Sequence, residues 1–332
     1  MTRQAFWLTV MLFVAGLTGW SRQWTPDSLA GYECTTVSLP DSRVCTVTRK
    51  LSPHSDGRAV LYVHGYNDYF FQAEEGDRFV DSCYSWYAVD LHGYGRSIQP
   101  GERPYQTRHI SDYYADIDST LSIMAADSIT SVALMGHSTG GLITASYMAF
   151  GNPPLTVRTL LLNSPFLEFN YNAFMRKIVL PVVSCLGSHF PNITIAQSYD
   201  DTAYGESTSA DFKGRWRFNY QWKTVHPRPV TTGWISMIQD GQYQLRRHNE
   251  RILVPILLMH SARSVSGGQW TPEHMTADAV LNVQHISEQG RKLGPTVTEL
   301  TVDGGMHDLF LSSPQVCDSL YQSVFDWLRY RM

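Results

Sequence analysis

Ser138 stands in the middle of Gly136-His137-Ser138-Thr139-Gly140, between an apolar run over residues 131–135 and a small-residue stretch over 140–150. Reading the first as a buried strand and the second as a helix that closes near Gly151 puts the serine at the apex of a strand-to-helix turn. The Gly-x-Ser-x-Gly spacing suits nucleophilic chemistry. The glycines let neighbouring backbones approach, the hydroxyl stands above the sheet, and the helix N-terminus points at it.

A serine hydroxyl is a weak nucleophile until a base takes its proton and an acid fixes the tautomer of that base. Of the 12 histidines, His307 has the best address, in the loop Asp303-Gly304-Gly305-Met306-His307-Asp308 just after the strand-like run 296–302. The order nucleophile, acid, histidine belongs to one architecture among those that build such a constellation. The acid should follow the strand-like run 254–259, but the next residues, His260-Ser261-Ala262-Arg263-Ser264, hold no carboxylate. The first acids beyond are Glu273, in a freer loop, and Asp278, at the start of a helical stretch. Asp278 is favoured and Glu273 stays open, whereas Asp303 is placed to brace the turn before His307. Stabilising the charge that develops on a carbonyl oxygen takes two backbone N–H groups. Thr139, next to the nucleophile, and Tyr66, in the glycine-containing loop His64-Gly65-Tyr66-Asn67, are expected to supply them. The rings of Tyr66, Tyr69 and Phe70 would then line the acyl site.

The elements that must carry these residues follow a recognisable rhythm. Residues 31–37 and 44–48 read as an antiparallel start. Apolar strands at 58–64, 86–90, 131–135, 157–162, 254–259 and 296–302 alternate with helices at 74–83, 111–126 and 140–150 and a last one opening at Ser313-Pro314. Short apolar strands alternating with helices mean an α/β fold with a mostly parallel sheet. The rhythm breaks over 166–250, which offers helical pieces and no sheet strand, so the catalytic domain is expected to comprise 22–165 and 251–332. The interrupting segment is expected over the carboxyl ends of the strands, where open α/β sheets bind ligands. Phe174, Ile178, Val182 and Leu186 form a helical stripe there, interrupted at Pro181, that could shelter an acyl chain.

The chain has 332 residues and a formal charge of −4, which gives no reason to expect nucleic acid or an anionic bilayer as a partner. The basic and aromatic residues interleaved from Lys213 to Lys223 read better as a surface with snorkelling side chains than as a stacking platform. His54, His64, His92 and His109 show no metal-ligand spacing, and His260 and His274 lie far apart, so no metal is expected. Gly93-Tyr94-Gly95 lacks the full dinucleotide fingerprint and follows the wrong strand for it. Residues 6–20 are almost uninterruptedly apolar behind a single early arginine, which reads as a signal peptide or, second, a membrane anchor over 1–21. An exported or anchored protein is therefore expected, with room for association with a membrane surface; oligomeric state is left open. Cys34 and Cys45 flank a turn-like Pro40-Asp41-Ser42 and could meet across a hairpin as a disulfide.

His64-Gly65, Gly136-His137-Ser138-Thr139-Gly140-Gly141, Asp278 and Gly305-Met306-His307 together resemble the α/β-hydrolase superfamily. The longer phrases 61–71, Leu162-Asn163-Ser164-Pro165 and 305–310 are similar to its monoacylglycerol lipase, lysophospholipase and serine aminopeptidase branch, bacterial lysophospholipase-like members above all. The resemblance implies a Ser138–Asp278–His307 triad, a helical cap over 166–250 and cofactor-free hydrolysis of small acyl esters such as monoacylglycerols or lysophospholipids. A serine aminopeptidase is the rival. It would need a carboxylate for a peptide's ammonium, with Glu168, Asp200, Asp201, Glu206 and Asp211 available. A non-catalytic binding protein that keeps the fold is the third reading.

Overall fold

A computed structural model describes residues 22–195, 201–248 and 251–332. The expected signal or anchor segment over 1–21, and Asp200, lie outside the described residues. Among the described residues no helix is long and apolar enough to cross a membrane.

In chain order the elements begin with β1 (Thr25–Pro26), β2 (Glu33–Ser38), β3 (Val44–Lys50), β4 (Arg58–Val63), α1 (Ala73–Asp81) and β5 (Ser85–Asp90). They continue with α2 (Tyr114–Ala126), β6 (Ser131–His137), α3 (Thr139–Phe150) and β7 (Val157–Asn163). The insertion follows, with α4 (Leu180–His189), β8 (Thr194–Ile195), α5 (Ala203–Thr208), β9 (Val230–Thr231) and α6 (Thr232–Arg247). The chain returns to the sheet through β10 (Ile256–Ser261), α7 (Val283–Gly290), β11 (Val297–Val302) and α8 (Pro314–Arg329). The nine-stranded sheet has the order β1-β2-β3-β5-β4-β6-β7-β10-β11. From β5 to β11 every neighbouring pair is parallel, and β3, β2 and β1 extend the sheet antiparallel at one edge.

Side chains alternate across a strand, so the continuous apolar runs serve both faces. Leu61, Val63, Leu134, Leu160, Leu162 and Leu258 join the core shared with Ile117 and Leu121 of α2, Leu142 of α3 and Ile286 of α7. Val60, Tyr62, Met135, Leu161, Leu257 and Met259 join the opposite core, closed by Phe79 of α1 and by Leu320, Val324 and Trp327 of α8. Parallel strands so covered bring the ends of β4, β6, β7, β10 and β11 to one edge, where the sequence places its chemistry.

Four expectations need correction. Cys34 and Cys45 do lie on adjacent strands, but Cys34 pairs with Thr48 and Cys45 with Val37. An offset of three positions separates the two by about 10 Å along the strand and puts them on opposite faces, beyond disulfide reach. Both are free thiols. The insertion carries a small antiparallel ladder of its own, β8 with β9, although it adds nothing to the main sheet. The apolar stripe faces outward, with Phe174 65% and Ile178 54% exposed and Val182 and Leu186 beside them on the surface. The opposite face of α4, including Leu180 and Gly187, is the one that is buried, and α4 packs on α6. Pro181 does not interrupt the helix. Residues Met175–Val179 wind as a π-helix that passes straight into α4, with the proline in its first turn.

One buried group opposes the fold. Glu75 of α1 is fully buried, and neither carboxyl oxygen has a hydrogen-bond partner among the described residues. Burial, and then the nearby Asp308 charge, push its pKa well above the usual carboxylate value. The native state therefore keeps a proton that the unfolded chain gives up above its ordinary pKa of 4.5, so this group's contribution to stability falls as pH rises through that range. Thermal unfolding should show Glu75→Gln gaining on the wild type as pH goes from 5 to 9. A difference in Tm that stays constant with pH would contradict this assignment.

Candidate active site

The position of Ser138 is set by backbone geometry. β6 ends at His137 and α3 starts at Thr139, so the chain reverses within one residue, and Ser138 adopts φ 52° and ψ −117°. A non-glycine residue held in that region is strained and persists only where its surroundings impose it. Here the surroundings are close backbones. A Cβ on Gly136 would run into the Gly140 carbonyl, and one on Gly140 into the carbonyl oxygens of Val63 and His64. Ser138 N–H donates to the Asn163 carbonyl at 3.0 Å, and Phe166 N–H donates to the Ser138 carbonyl at 2.9 Å.

From the serine a continuous hydrogen-bonded chain runs inward. Ser138 Oγ lies 3.0 Å from His307 Nε2, and His307 Nδ1 lies 2.9 Å from Asp278 Oδ2. Asp278 is fully buried, and its second oxygen accepts the N–H groups of Val280 at 2.8 Å and Leu281 at 2.7 Å. The oxygen that faces His307 Nδ1 accepts its proton, so the imidazole carries that proton on Nδ1 and presents a lone pair to the serine. The acid reaches this position by a stitched detour. Asp278 N–H donates to the Arg263 carbonyl and Val265 N–H to the Asp278 carbonyl, which closes the excursion back onto the end of β10. Glu273 sits on the exposed part of that excursion, and Asp303 is exposed as well. The excursion also grips the insertion: Ala203 N–H donates to the Gly268 carbonyl, Gly268 N–H to Asp201, and Trp270 Nε1 to Ser207.

Two N–H groups next to the serine are unspent. Neither Tyr66 N–H nor Thr139 N–H has an acceptor among the described residues, as a helix start and an irregular loop allow. The Gly65–Tyr66 peptide is pressed against Ser138, because a Cβ on Gly65 would lie 3.1 Å from Ser138 Cβ. Its orientation is held from below. Leu91 N–H donates to His64 Nε2 at 3.1 Å, so the His64 proton is on Nδ1, and it goes to the Gly65 carbonyl at 2.8 Å. That carbonyl is trans to the Tyr66 N–H in the same peptide plane, so the N–H points the other way.

Rings surround this constellation. Tyr66 packs between Tyr105 and Trp234, with ring centroids 5.0 and 4.8 Å away, and Phe166 stacks beyond Trp234. Tyr69 lies in a separate cluster with Phe71 and Trp222. Phe70 is fully buried in the core beneath, against Tyr32, Tyr62 and Trp86, and not in the wall of the site. Phe174 and Ile178, on the outer surface, are not in it either. The sequence reading missed Tyr204 of α5, whose ring meets His307 edge-on at 5.4 Å, and His137, whose ring lies 4.9 Å from His307 on another side. It also missed the bracing by Asn163, which donates to Asp308 at 2.8 Å and ties the end of β7 to the histidine loop. Only adjacency to Ser138 and His307 could have pointed to His137 and Asp308.

Asp68, His137 and Asp308 bring one ligand atom each to within 4.8 Å of one another, a set that could in principle hold a cation. Lys223 already serves that role, its ammonium 2.9 Å from Asp68 and both side chains buried. Burial opposes ionisation of Asp68, but the Lys223 ammonium outweighs it and holds its pKa below the ordinary value. Burial pushes His137 the opposite way from ionisation and keeps it neutral. A second, divalent cation would have to displace the lysine.

A hydroxyl bonded to an imidazole that is oriented by a buried carboxylate, with free N–H groups beside it, is equipped for nucleophilic acyl transfer. Comparisons with known proteins agree at the level of fold and family. The fold is shared with a monoglyceride lipase from Saccharomyces cerevisiae bound to a substrate analogue (14% identity over 91% of this chain and 97% of that one, TM-score 0.65). It is also shared with a monoacylglycerol lipase from Paleococcus ferrophilus (19% identity, 85% and 97%, TM-score 0.61). A carboxyl esterase from Bacillus coagulans matches similarly (12% identity, 91% and 99%, TM-score 0.66). No curated protein matches the sequence. The family model described as serine aminopeptidase, S33, matches residues 55–265, and the chain thus belongs to this family of serine hydrolases with the α/β-hydrolase fold.

Proposed function

We propose that this protein is a serine carboxylic-ester hydrolase acting on esters with a single acyl chain, of the monoacylglycerol or lysophospholipid type. The observation that carries the reading is the unbroken chain Ser138–His307–Asp278 beside two unspent N–H groups. Ser138 Oγ attacks the ester carbonyl carbon while its proton passes to His307 Nε2. The oxyanion is received by the N–H groups of Tyr66 and Thr139. As the C–O bond to the alcohol breaks, His307 returns the proton to the departing oxygen. Water then repeats the cycle on the acyl-enzyme, releasing the acid.

The lipid-ester class is favoured over a peptide by what faces the site. Tyr66, Tyr105, Trp234 and Phe166 offer an apolar wall near the serine. Among the described residues, the cap carboxylates named as candidates for a peptide's ammonium are engaged elsewhere: Glu168 with Arg176 and Arg246, Asp201 with Gly268, Glu206 with Thr202, and Asp211 with Tyr220. The outward stripe of Phe174, Ile178, Val182 and Leu186, with Arg176 and Lys177 among them, suits a helix lying on a lipid surface.

Each buried methylene contributes about 0.8 kcal/mol, roughly fourfold in kcat/KM. On p-nitrophenyl esters, kcat/KM should accordingly climb from acetate to octanoate, and monoacylglycerols should outperform aminoacyl amides. Flat or falling activity along the ladder, or preference for the amides, sinks the lipid-ester reading.

Substitution separates the roles. Ser138→Ala and His307→Ala should each lower kcat by at least ~10⁴-fold, and Asp278→Asn by about 10⁴-fold, while Glu273→Gln stays within threefold of wild type. Loss of activity in Glu273→Gln with retention in Asp278→Asn would exchange the two acids. For the surface reading, Ile178→Glu should slow hydrolysis of vesicle-embedded monoacylglycerol and spare soluble p-nitrophenyl butyrate; equal effects on both would argue against it.

A further inference from the structure

The loop that carries the Tyr66 N–H is gripped residue by residue by one stretch of the insertion. Tyr66 Oη donates to the Pro229 carbonyl at 3.3 Å. Asn67 Oδ1 accepts from Thr224 N–H at 3.1 Å, Thr224 Oγ1 at 3.1 Å and Arg228 Nε at 3.2 Å, while Asn67 Nδ2 donates to the Thr224 carbonyl at 2.9 Å. Asp68 receives the buried ammonium of Lys223, and Tyr69 Oη accepts the Asn219 N–H at 2.8 Å. The next residue, Phe70, is bonded only downward: its N–H goes to Asp90 and its carbonyl accepts from Arg96. Four consecutive residues thus face the insertion, and the fifth faces the floor.

Asn67 is the pivot of this run. Its φ of 51° lies in the left-handed region, and this turn redirects the chain just after the Gly65–Tyr66 peptide. Below that peptide, His64 fixes the carbonyl side. Above it, the Asn67 side chain and the Asp68–Lys223 pair fix where the loop goes next. The ion pair is desolvated on both partners, so it has one good geometry and strongly resists being pulled apart.

We propose that Asn67, Asp68 and Lys223 are positioning residues for the oxyanion hole, so that the hole is assembled only when residues 219–230 of the insertion are seated on the loop. This rests on the hydrolase reading above. The insertion then governs chemistry as well as access, because unseating it releases the peptide that receives the developing charge.

The test uses full-length protein, p-nitrophenyl butyrate, and an alkyl trifluoromethyl ketone, whose hemiketal oxygen must occupy the hole. Asn67→Gly keeps the left-handed backbone accessible and deletes the side-chain grip. The double variant Asp68→Asn/Lys223→Met deletes the charge pair without leaving a lone buried charge. Removing a hole donor outright costs about 10²–10³ in kcat, so a misplaced one should cost roughly 10- to 100-fold. Expected for whichever variants fold is that loss in kcat with KM within threefold, and an equal weakening of the ketone. Unchanged kcat, a rise in KM alone, or a fall in kcat with undiminished ketone affinity would each overturn the proposal. If neither variant folds, Thr224→Val, which removes one donor to Asn67, should show the same joint loss on a smaller scale, and normal kcat in it counts against the idea. Fluorophosphonate labelling of wild-type Ser138 separates the two levels. Absence of label overturns the hydrolase reading and this inference with it, whereas labelled, active wild type with fully active variants overturns this inference alone.

Discussion

The whole arrangement depends on one strained residue. Ser138 is held at positive φ because the chain must pass from β6 to α3 without a loop, and every close neighbour answers to that demand. Gly136 and Gly140 lack side chains so that carbonyls can come near, and Gly65 does the same from the β4 loop. A side chain at any of them would push the elbow off the strand ends and relax the serine toward an ordinary conformation. The sheet supplies the counterforce. β6 is hydrogen-bonded to β4 on one side and β7 on the other, and those neighbours provide two of the loops that meet at the serine.

Beneath the chemistry lies a buried polar layer. Asp68, Lys223, His137, Asp308 and Asn163 are all buried, and Glu75 lies close enough to feel Asp308. Buried charges are costly unless paired, so this layer persists only as a set. Its members come from the β4 loop, the β6 and β7 ends, the histidine loop and the insertion. Packing by apolar contacts alone would tolerate small slips among these parts, whereas directional bonds do not.

Much of the fold was legible because it is written in runs. Apolar strands over 58–64, 131–135 and 157–162 fall within one residue of β4 and within one or two of the ends of β6 and β7, since a covered parallel strand needs no alternation. The positions of Ser138 and His307 were legible because the serine directly follows its strand and the histidine sits in the short glycine-containing loop after its own. Asp278 was harder: the detour that delivers it is closed by backbone bonds, which leave no mark in residue types. The outer stripe shows a different limit. Periodicity identifies that Phe174 and Ile178 share a face, but α4 is apolar on two sides, and only its packing on α6 decides which one is buried. Lys223 and Asp68, 155 positions apart, were beyond reach for lack of any local pattern, and the cysteine pairing failed by a register of three.

The stitched detour before Asp278 has a broader meaning. Its two ends are bonded to each other, so residues 265–278 hang as a closed excursion from a fixed base. The length of that excursion is thereby released from any duty toward the acid. What it governs is the reach to Ala203 and Ser207, on the short helix that presents Tyr204 to His307. Residues gained or lost at its tip would leave the proton path intact and shift one wall of the site. The molecule thus keeps a part in which sequence length can drift, over generations or at the bench, and reshape what the serine meets without disturbing how it reacts.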